Sequence, residues 1–301
     1  MPALLGTLVV VTGLAIGLGT WQVAGVAEDV DRIGAALPAE GGRPDVPPAA
    51  QQALTFLVVG VDPADEETRA TRAEAVLLVR LTGDREHVQV VSFPLDTWVG
   101  GWGSTLEGAF GSGGPQGVVQ AAETLTDVRI DHYAELDFSG LATVTDALGG
   151  ITVDVPEPYS SRGHDFAPGP QQMDGAEAVA FVRDAGPETR AAAPARQQRV
   201  VQALFRSIEA QGAFSDLGRL ADLLDSMTGA LRVDDPLADG DLVAIAWEFR
   251  GAHTLEFVSA PVGGPGTEGG RPVQYLDGGR AGLLWEYLRN DALAGHLSEF
   301  R

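Results

Sequence analysis

The 301-residue sequence contains no cysteine. Disulfides and thiolate metal sites are therefore excluded. Lysine is absent too, so all 20 Lys-plus-Arg positions are Arg. Against 42 Asp and Glu the formal net charge is −22. Nucleic-acid binders carry a basic footprint, and a polyanion would meet general repulsion here, so no nucleic-acid partner is expected. The five His residues (His87, His132, His164, His253 and His296) are scattered without the spacing of zinc ligands. His132 is read as serving the fold. No Gly-x-Ser-x-Gly elbow is present, which removes the usual signature of a Ser/His/Asp hydrolase.

Charge is missing altogether from residues 1–27. The run from Leu4 to Val26 is built from Leu, Val, Ile, Ala, Gly and Thr, with Trp21 and Gln22 near its end. About 20 apolar residues cross a bilayer core as a helix, and indole rings favour its interface. Residues 1–27 are therefore expected to be a single-pass membrane anchor, with the N-terminus inside and the following domain extracytoplasmic. The competing reading is a signal peptide cleaved at Ala24-Gly25-Val26-Ala27, although this apolar run is longer than the usual one. Residues 28–52, with Pro38, Pro44, Pro47 and Pro48, read as a stalk. Residues 53–301 are long enough for a sizeable core and read as one extracytoplasmic domain.

Within that domain Thr55–Val61 is a short apolar run that suits a buried strand. Ala75–Leu81 and His87–Phe93 read as a hairpin around Gly83-Asp84. Gly100–Gly114 reads as a glycine-rich loop, followed by a helix over Gln116–Leu125. His132–Phe138 reads as a strand, Ser139–Leu148 as a helix and Ile151–Val155 as a strand. Asp174 and Glu177 form a capping-box pattern before the helix Ala176–Val182. A helix over Arg196–Ala210 follows, with an apolar stripe including Val200 and Leu204. A further helix capped by Ser215 and a strand over Leu255–Ser259 come next. Gly263–Arg280 reads as loop before a short helix at Leu283–Leu288. Strands alternating with helices predict a layered α-β-α sandwich with a central, mostly buried mixed sheet.

Polar residues gather where these strands and helices end, which is where ligands collect in α/β folds. One patch holds Asp62, Arg69, Arg72 and Glu74; a second holds Asp96 and Thr97; a third holds Arg183, Arg190, Arg196 and Arg199. Carboxylates with arginines suit a metal-bound phosphate. Mg²⁺ takes one or two carboxylates plus phosphate oxygens, and guanidinium forks match phosphate geometry. The plain alternative is a set of surface ion pairs, each worth little.

The chain resembles the LytR-CpsA-Psr family of membrane-anchored cell-envelope enzymes over about Thr55–Gln202. The resemblance rests on Phe56-Leu-Val-Val-Gly-Val-Asp62, Val91-Ser-Phe-Pro-Leu-Asp-Thr97, Asp131-His-Tyr-Ala-Glu-Leu-Asp-Phe138, Asp146-Ala-Leu-Gly-Gly-Ile-Thr-Val153, Ala178-Val-Ala-Phe-Val-Arg183 and Arg196-Gln-Gln-Arg199. Pro272–Arg289 resembles, more weakly, the tails of actinobacterial members. The resemblance implies transfer of a phosphate-linked glycopolymer from a polyprenyl-pyrophosphate lipid to peptidoglycan or a similar acceptor, with Mg²⁺. It implies Asp62 and Glu74 as metal ligands and Arg72 and Asp96 as catalytic groups. Arg72, Arg183, Arg196 and Arg199 are implied to bind pyrophosphate. Leu95 and Ala185 stand where the family carries arginines, Glu74 where it has Asp, and Glu107 where it usually has Asn; no acidic residue stands shortly before Arg196. Two readings follow: a transferase, or a polyprenyl-phosphate binding or scaffolding module that has lost turnover.

Overall fold

The computed structural model describes residues 31–62, 72–183, 193–211, 231–235, 252 and 254–300. The expected anchor, residues 1–27, the helix capped by Ser215, and Arg69, Ala185 and Arg190 lie outside the described residues. Among the described residues no helix is long and apolar enough to cross a membrane.

The strands in chain order are β1 (Asp31–Ile33), β2 (Leu54–Asp62), β3 (Arg72–Leu81), β4 (His87–Phe93), β5 (Trp98–Val99), β6 (Ser104–Thr105) and β7 (His132–Asp137). They continue with β8 (Ile151–Val155), β9 (Tyr159–Ser161), β10 (His164–Phe166), β11 (Gly169–Met173), β12 (Leu231–Asp234), β13 (Thr254–Ser259), β14 (Val262–Glu268) and β15 (Arg271–Leu276). Five α-helices are described: α1 (Leu106–Thr126), α2 (Phe138–Ala147), α3 (Gly175–Val182), α4 (Ala193–Ala210) and α5 (Gly278–Arg289). A seven-stranded sheet runs in the order β1-β12-β7-β2-β3-β4-β13. The α/β class with a central mixed sheet is as expected.

The chain divides into two compact units. One takes its described residues from 33–134, 234–235 and 256–300. Its core is built on β2, β3 and β4, whose apolar runs are buried nearly throughout. Phe93 stacks on Trp285 of α5 with ring centroids 5.5 Å apart. Val118, Val119 and Ala122 of α1 and Leu284 and Leu288 of α5 complete the cluster. His132 stacks on Phe56 at 5.1 Å, and its Nδ1 lies 3.4 Å from Asp234, so it serves the fold. The other unit holds residues 31–32, 135–233, 252 and 254–255 in its described parts. There Phe138, Val144, Ile151, Val153, Phe181, Val200 and Leu204 form an apolar cluster. Asp174 and Glu177 close the predicted capping box on α3, each side chain accepting from the other's backbone N–H at 2.9 and 3.1 Å. Gly175 lets α3 approach α2, since a Cβ there would lie 2.4 Å from the Ala142 carbonyl oxygen.

Three expectations need correcting. The glycine-rich segment Gly100–Gly114 is helical from Leu106, because the Thr105 hydroxyl accepts from Gly108 N–H and caps the turn. Gly114, at φ 59°, and Pro115 only kink α1. Gly263–Arg280 forms the β14–β15 hairpin and the start of α5, with Gly269 and Gly270 at positive φ making the turn. Within the expected stalk, β1 joins the sheet, Ile33 and Ala36 are buried, and Arg43 is paired with buried Glu123 at 2.7 Å. Proline spacing suggested an extended linker, but it did not reveal these long-range partners.

Candidate functional site

The first group of candidate residues is assembled by backbone register. Asp62 ends β2 and lies directly opposite Arg72, the first residue of β3. The register shifts between Gly60 and Val61: Gly60 faces Ala75 and Val61 faces Ala73. Glu74 is thus the extra residue of a β-bulge, a device that re-aims a side chain at a strand end. Gly60 suits its place, since a Cβ there would meet the Ala75 Cβ at 3.1 Å. Val61 and Ala73 are buried, whereas Asp62 and Glu74 are half-exposed and Arg72 is exposed.

Asp96 reaches the same edge through a clamped turn. Thr97 N–H donates to Pro94 at 3.1 Å, and Gln274 N–H donates to the Asp96 carbonyl at 2.8 Å. Leu106 and Glu107 N–H donate to the carbonyls of Thr97 and Leu95 at 3.1 and 3.0 Å. This couples the Asp96 turn to the start of α1. Glu107 then receives Arg72 Nη2 at 3.1 Å. Strand pairing thus sets Asp62 beside Arg72, with Glu74 on the adjoining bulge, Glu107 contacts Arg72, and the turn that carries Asp96 is bonded through Leu95 to Glu107 N–H. Carboxylate oxygens are the ligand type that Mg²⁺ takes, and soft ligands are missing here. Leu95 packs against the apolar cluster, where the family's arginine would have added charge. Gln274 had no signal in the sequence, because its contribution here is a backbone N–H from a segment read as loop.

The arginines of the second group are mounted differently. Arg183 closes α3 in extended conformation, its N–H on the Val179 carbonyl. Its guanidinium lies over the Phe138 ring at 4.6 Å. Arg196, only 6% exposed, lies over the Tyr159 ring at 4.4 Å, and its Nε donates to the Phe181 carbonyl at 3.0 Å. Tyr159 also donates its hydroxyl to the Arg183 carbonyl at 3.0 Å. Phe166 and Phe181 pack edge-to-face at 5.1 Å beneath this pair. Arg199 turns to Asp154, contacting its carbonyl at 3.3 Å and its carboxylate at 3.8 Å. Arg183 and Arg196 thus each lie over a ring of their own, Phe138 and Tyr159, whereas Arg199 makes a separate surface pair.

Elsewhere, Asp84, Glu86 and His87 are the one group of three clustered acidic or His residues recorded among the described residues. They sit on the hairpin turn, where Asp84 accepts from Thr82 and from Glu86 N–H at 2.5 and 2.9 Å, which accounts for the cluster as turn chemistry.

Comparison with known proteins places these motifs in context. The model of the LytR_cpsA_psr family matches residues 28–287. The polyisoprenyl-teichoic acid–peptidoglycan teichoic acid transferase TagU of Halalkalibacterium halodurans is 29% identical, over 68% of this chain and 67% of that protein. The cell wall biosynthesis protein LcpA of Corynebacterium glutamicum is 26% identical, over 89% of this chain but 58% of its own length. Among solved structures, a LytR-Csp2A-Psr enzyme from Actinomyces oris superposes with a TM-score of 0.67 at 24% identity, covering 86% of this chain and 95% of that one. This last likeness is one of fold.

Proposed function

The chain belongs to the LytR-CpsA-Psr family, and from that premise we propose that it transfers a glycopolymer from a polyprenyl-pyrophosphate carrier to peptidoglycan or a similar acceptor. The observation that carries this reading is the strand register that sets Asp62 opposite Arg72 and puts Glu74 on the adjoining bulge, with Arg72 in contact with Glu107 next to the turn that carries Asp96. Asp62 and Glu74 would hold Mg²⁺, which when bound neutralises pyrophosphate charge. Arg72 would bind pyrophosphate oxygens, a role that the resemblance also implies for Arg183 and Arg196. Asp96 would accept the proton of the acceptor hydroxyl, a general-base role. The hydroxyl oxygen forms a bond to the phosphorus carrying the glycopolymer. The bond from that phosphorus to the bridging oxygen breaks, and polyprenyl phosphate leaves. Phosphoryl transfer depends chiefly on positioning and charge neutralisation. An anchor at residues 1–27 would keep the domain near its lipid-linked donor, with the domain extracytoplasmic.

One observation favours a second reading, a polyprenyl-phosphate binding or scaffolding module. Leu95 is packed into apolar surroundings, so the edge carries one positive charge fewer than the resemblance implies. Losing a preorganised donor costs about 10²–10³ in rate in a well-studied case. The test is transfer of labelled glycopolymer from a synthetic polyprenyl pyrophosphate to peptidoglycan with Mg²⁺. Turnover that Asp96→Asn lowers about 10²-fold or more supports the transferase. Carrier binding that Arg183→Ala abolishes, with no turnover in the parent protein, establishes the module instead.

A further inference from the structure

A cavity of about 580 Å³ opens beside the C-terminal half of α1. On α1 and its C-cap the lining is Gln120, Glu123, Thr124 and Asp127, all beyond the Gly114–Pro115 kink, and Asp62, Glu74, Asp96 and Glu107 take no part in it. Its volume lies within the range of small-molecule sites, roughly 300–1,000 Å³. Trp102 supplies an aromatic wall, and Gln120, Thr124, Asp45 and Asp127 bring polar groups. The floor is fixed. Arg43 donates to Glu123 at 2.7 and 3.1 Å and to the Ile130 carbonyl, and both charged side chains are 5% exposed. The loop before Trp102 is tight against α1, since a Cβ on Gly101 would meet Thr124 at 2.7 Å.

The charge pattern selects the ligand. Arg43 is committed to Glu123, so no unspent guanidinium in the lining faces an anion. Arg289 pairs with Asp127 in the same way, so the charges of the lining are matched apart from Asp45, whose oxygens repel anions and accept from hydroxyl or amide donors. An indole wall is large, rigid and apolar on its face, and suits the C–H face of a sugar ring. We propose that this cavity is a subsite for a neutral saccharide. Resting on the transfer reading, it serves as a foothold for the acceptor glycan strand remote from the reacting hydroxyl. Binding energy from such a remote part of a substrate aids its orientation at the reacting centre.

The test is calorimetric titration of the full chain in detergent with N-acetylated chitotetraose, and with trigalacturonic acid as the anionic counterpart. Saturable chitotetraose binding is expected, weakened about tenfold by Trp102→Ala. Asp45→Asn and Gln120→Ala, on exposed or half-exposed positions, should weaken it several-fold without changing the melting temperature, and Asp96→Asn should leave it unchanged. In the transfer assay the Asp45 and Gln120 variants should raise KM for acceptor and spare kcat. Preference for the acid, no saturable chitotetraose binding, or binding indifferent to all three cavity variants overturns the proposal. A protein that transfers glycopolymer without binding chitotetraose sinks the subsite alone. Cavity-dependent binding without transfer sinks the transfer reading alone and leaves a saccharide site.

Discussion

The carboxylate edge and the arginine pair hold their charges by opposite means. Asp62, Glu74 and Asp96 are half-exposed, and backbone features place them: a bulge in β3, and a turn clamped by Gln274 and by the start of α1. Arg183 and Arg196 are placed by side-chain packing, their guanidiniums lying over Phe138 and Tyr159. The contrast follows from solvation. Guanidinium is weakly hydrated and stacks on rings at modest desolvation cost, while a carboxylate taken from water needs strong compensation. Stability should therefore depend on the arginines, and function on the exposed carboxylates.

The sharpest way to break this comparison is Arg196→Ala. It removes a buried ring contact and a charged hydrogen bond, so an unfolding cost of about 3 kcal/mol is expected. Denaturant unfolding should show the midpoint falling with the slope unchanged. Arg72→Ala, at an exposed ion pair, should cost less than about 1 kcal/mol in the same experiment. Equal costs would show that the two settings do not differ as described.

Gly60→Val tests the bulge. The added side chain must press on Ala75, and overpacking of this kind costs roughly 1–3 kcal/mol, with the lower end expected at a strand end. Mg²⁺ binding should weaken as Glu74 is displaced. Glu107→Gln is expected to change stability by less than about 0.5 kcal/mol while freeing Arg72 from its anionic partner. Polyprenyl-phosphate affinity, measured by titration, should rise if Arg72 binds phosphate. The smallest effect concerns pH. The Thr82 hydroxyl and then the Glu86 N–H hold the Asp84 carboxyl below the usual carboxylate range. Its contribution is therefore present above the unfolded value of about 3.9 and is lost as pH falls through the depressed folded value. Asp84→Asn should flatten the acid limb of melting temperature against pH by a small amount, since the group is largely exposed.

Much of the frame was legible because it is local. The β2, β3 and β4 runs, the box at Asp174 and Glu177, and the stripe on α4 each declare themselves within a few residues. Gly100–Gly114 misled because glycine content outweighed the Thr105 cap. Glycine content misled again at β14–β15, where paired strands formed despite poor strand propensity. For the site, motif order identified Asp62, Glu74, Asp96, Arg183 and Arg196 as candidates. The bulge at Glu74, the Gln274 clamp and the ring seats under the arginines were not legible, because each depends on a partner distant in sequence. Arg199 shows the converse: its motif position suggested phosphate, and the fold gives it Asp154.

We propose that the half-exposed carboxylate edge is a cation site for handling pyrophosphate. Calorimetric Mg²⁺ titration in the presence of a short-chain polyprenyl pyrophosphate tests it most directly. One Mg²⁺ per chain is expected, with affinity falling at least about tenfold in the Asp62→Asn, Glu74→Gln double variant, whose melting temperature stays near that of the parent. Mg²⁺ binding of equal strength in the parent and the double variant would contradict it.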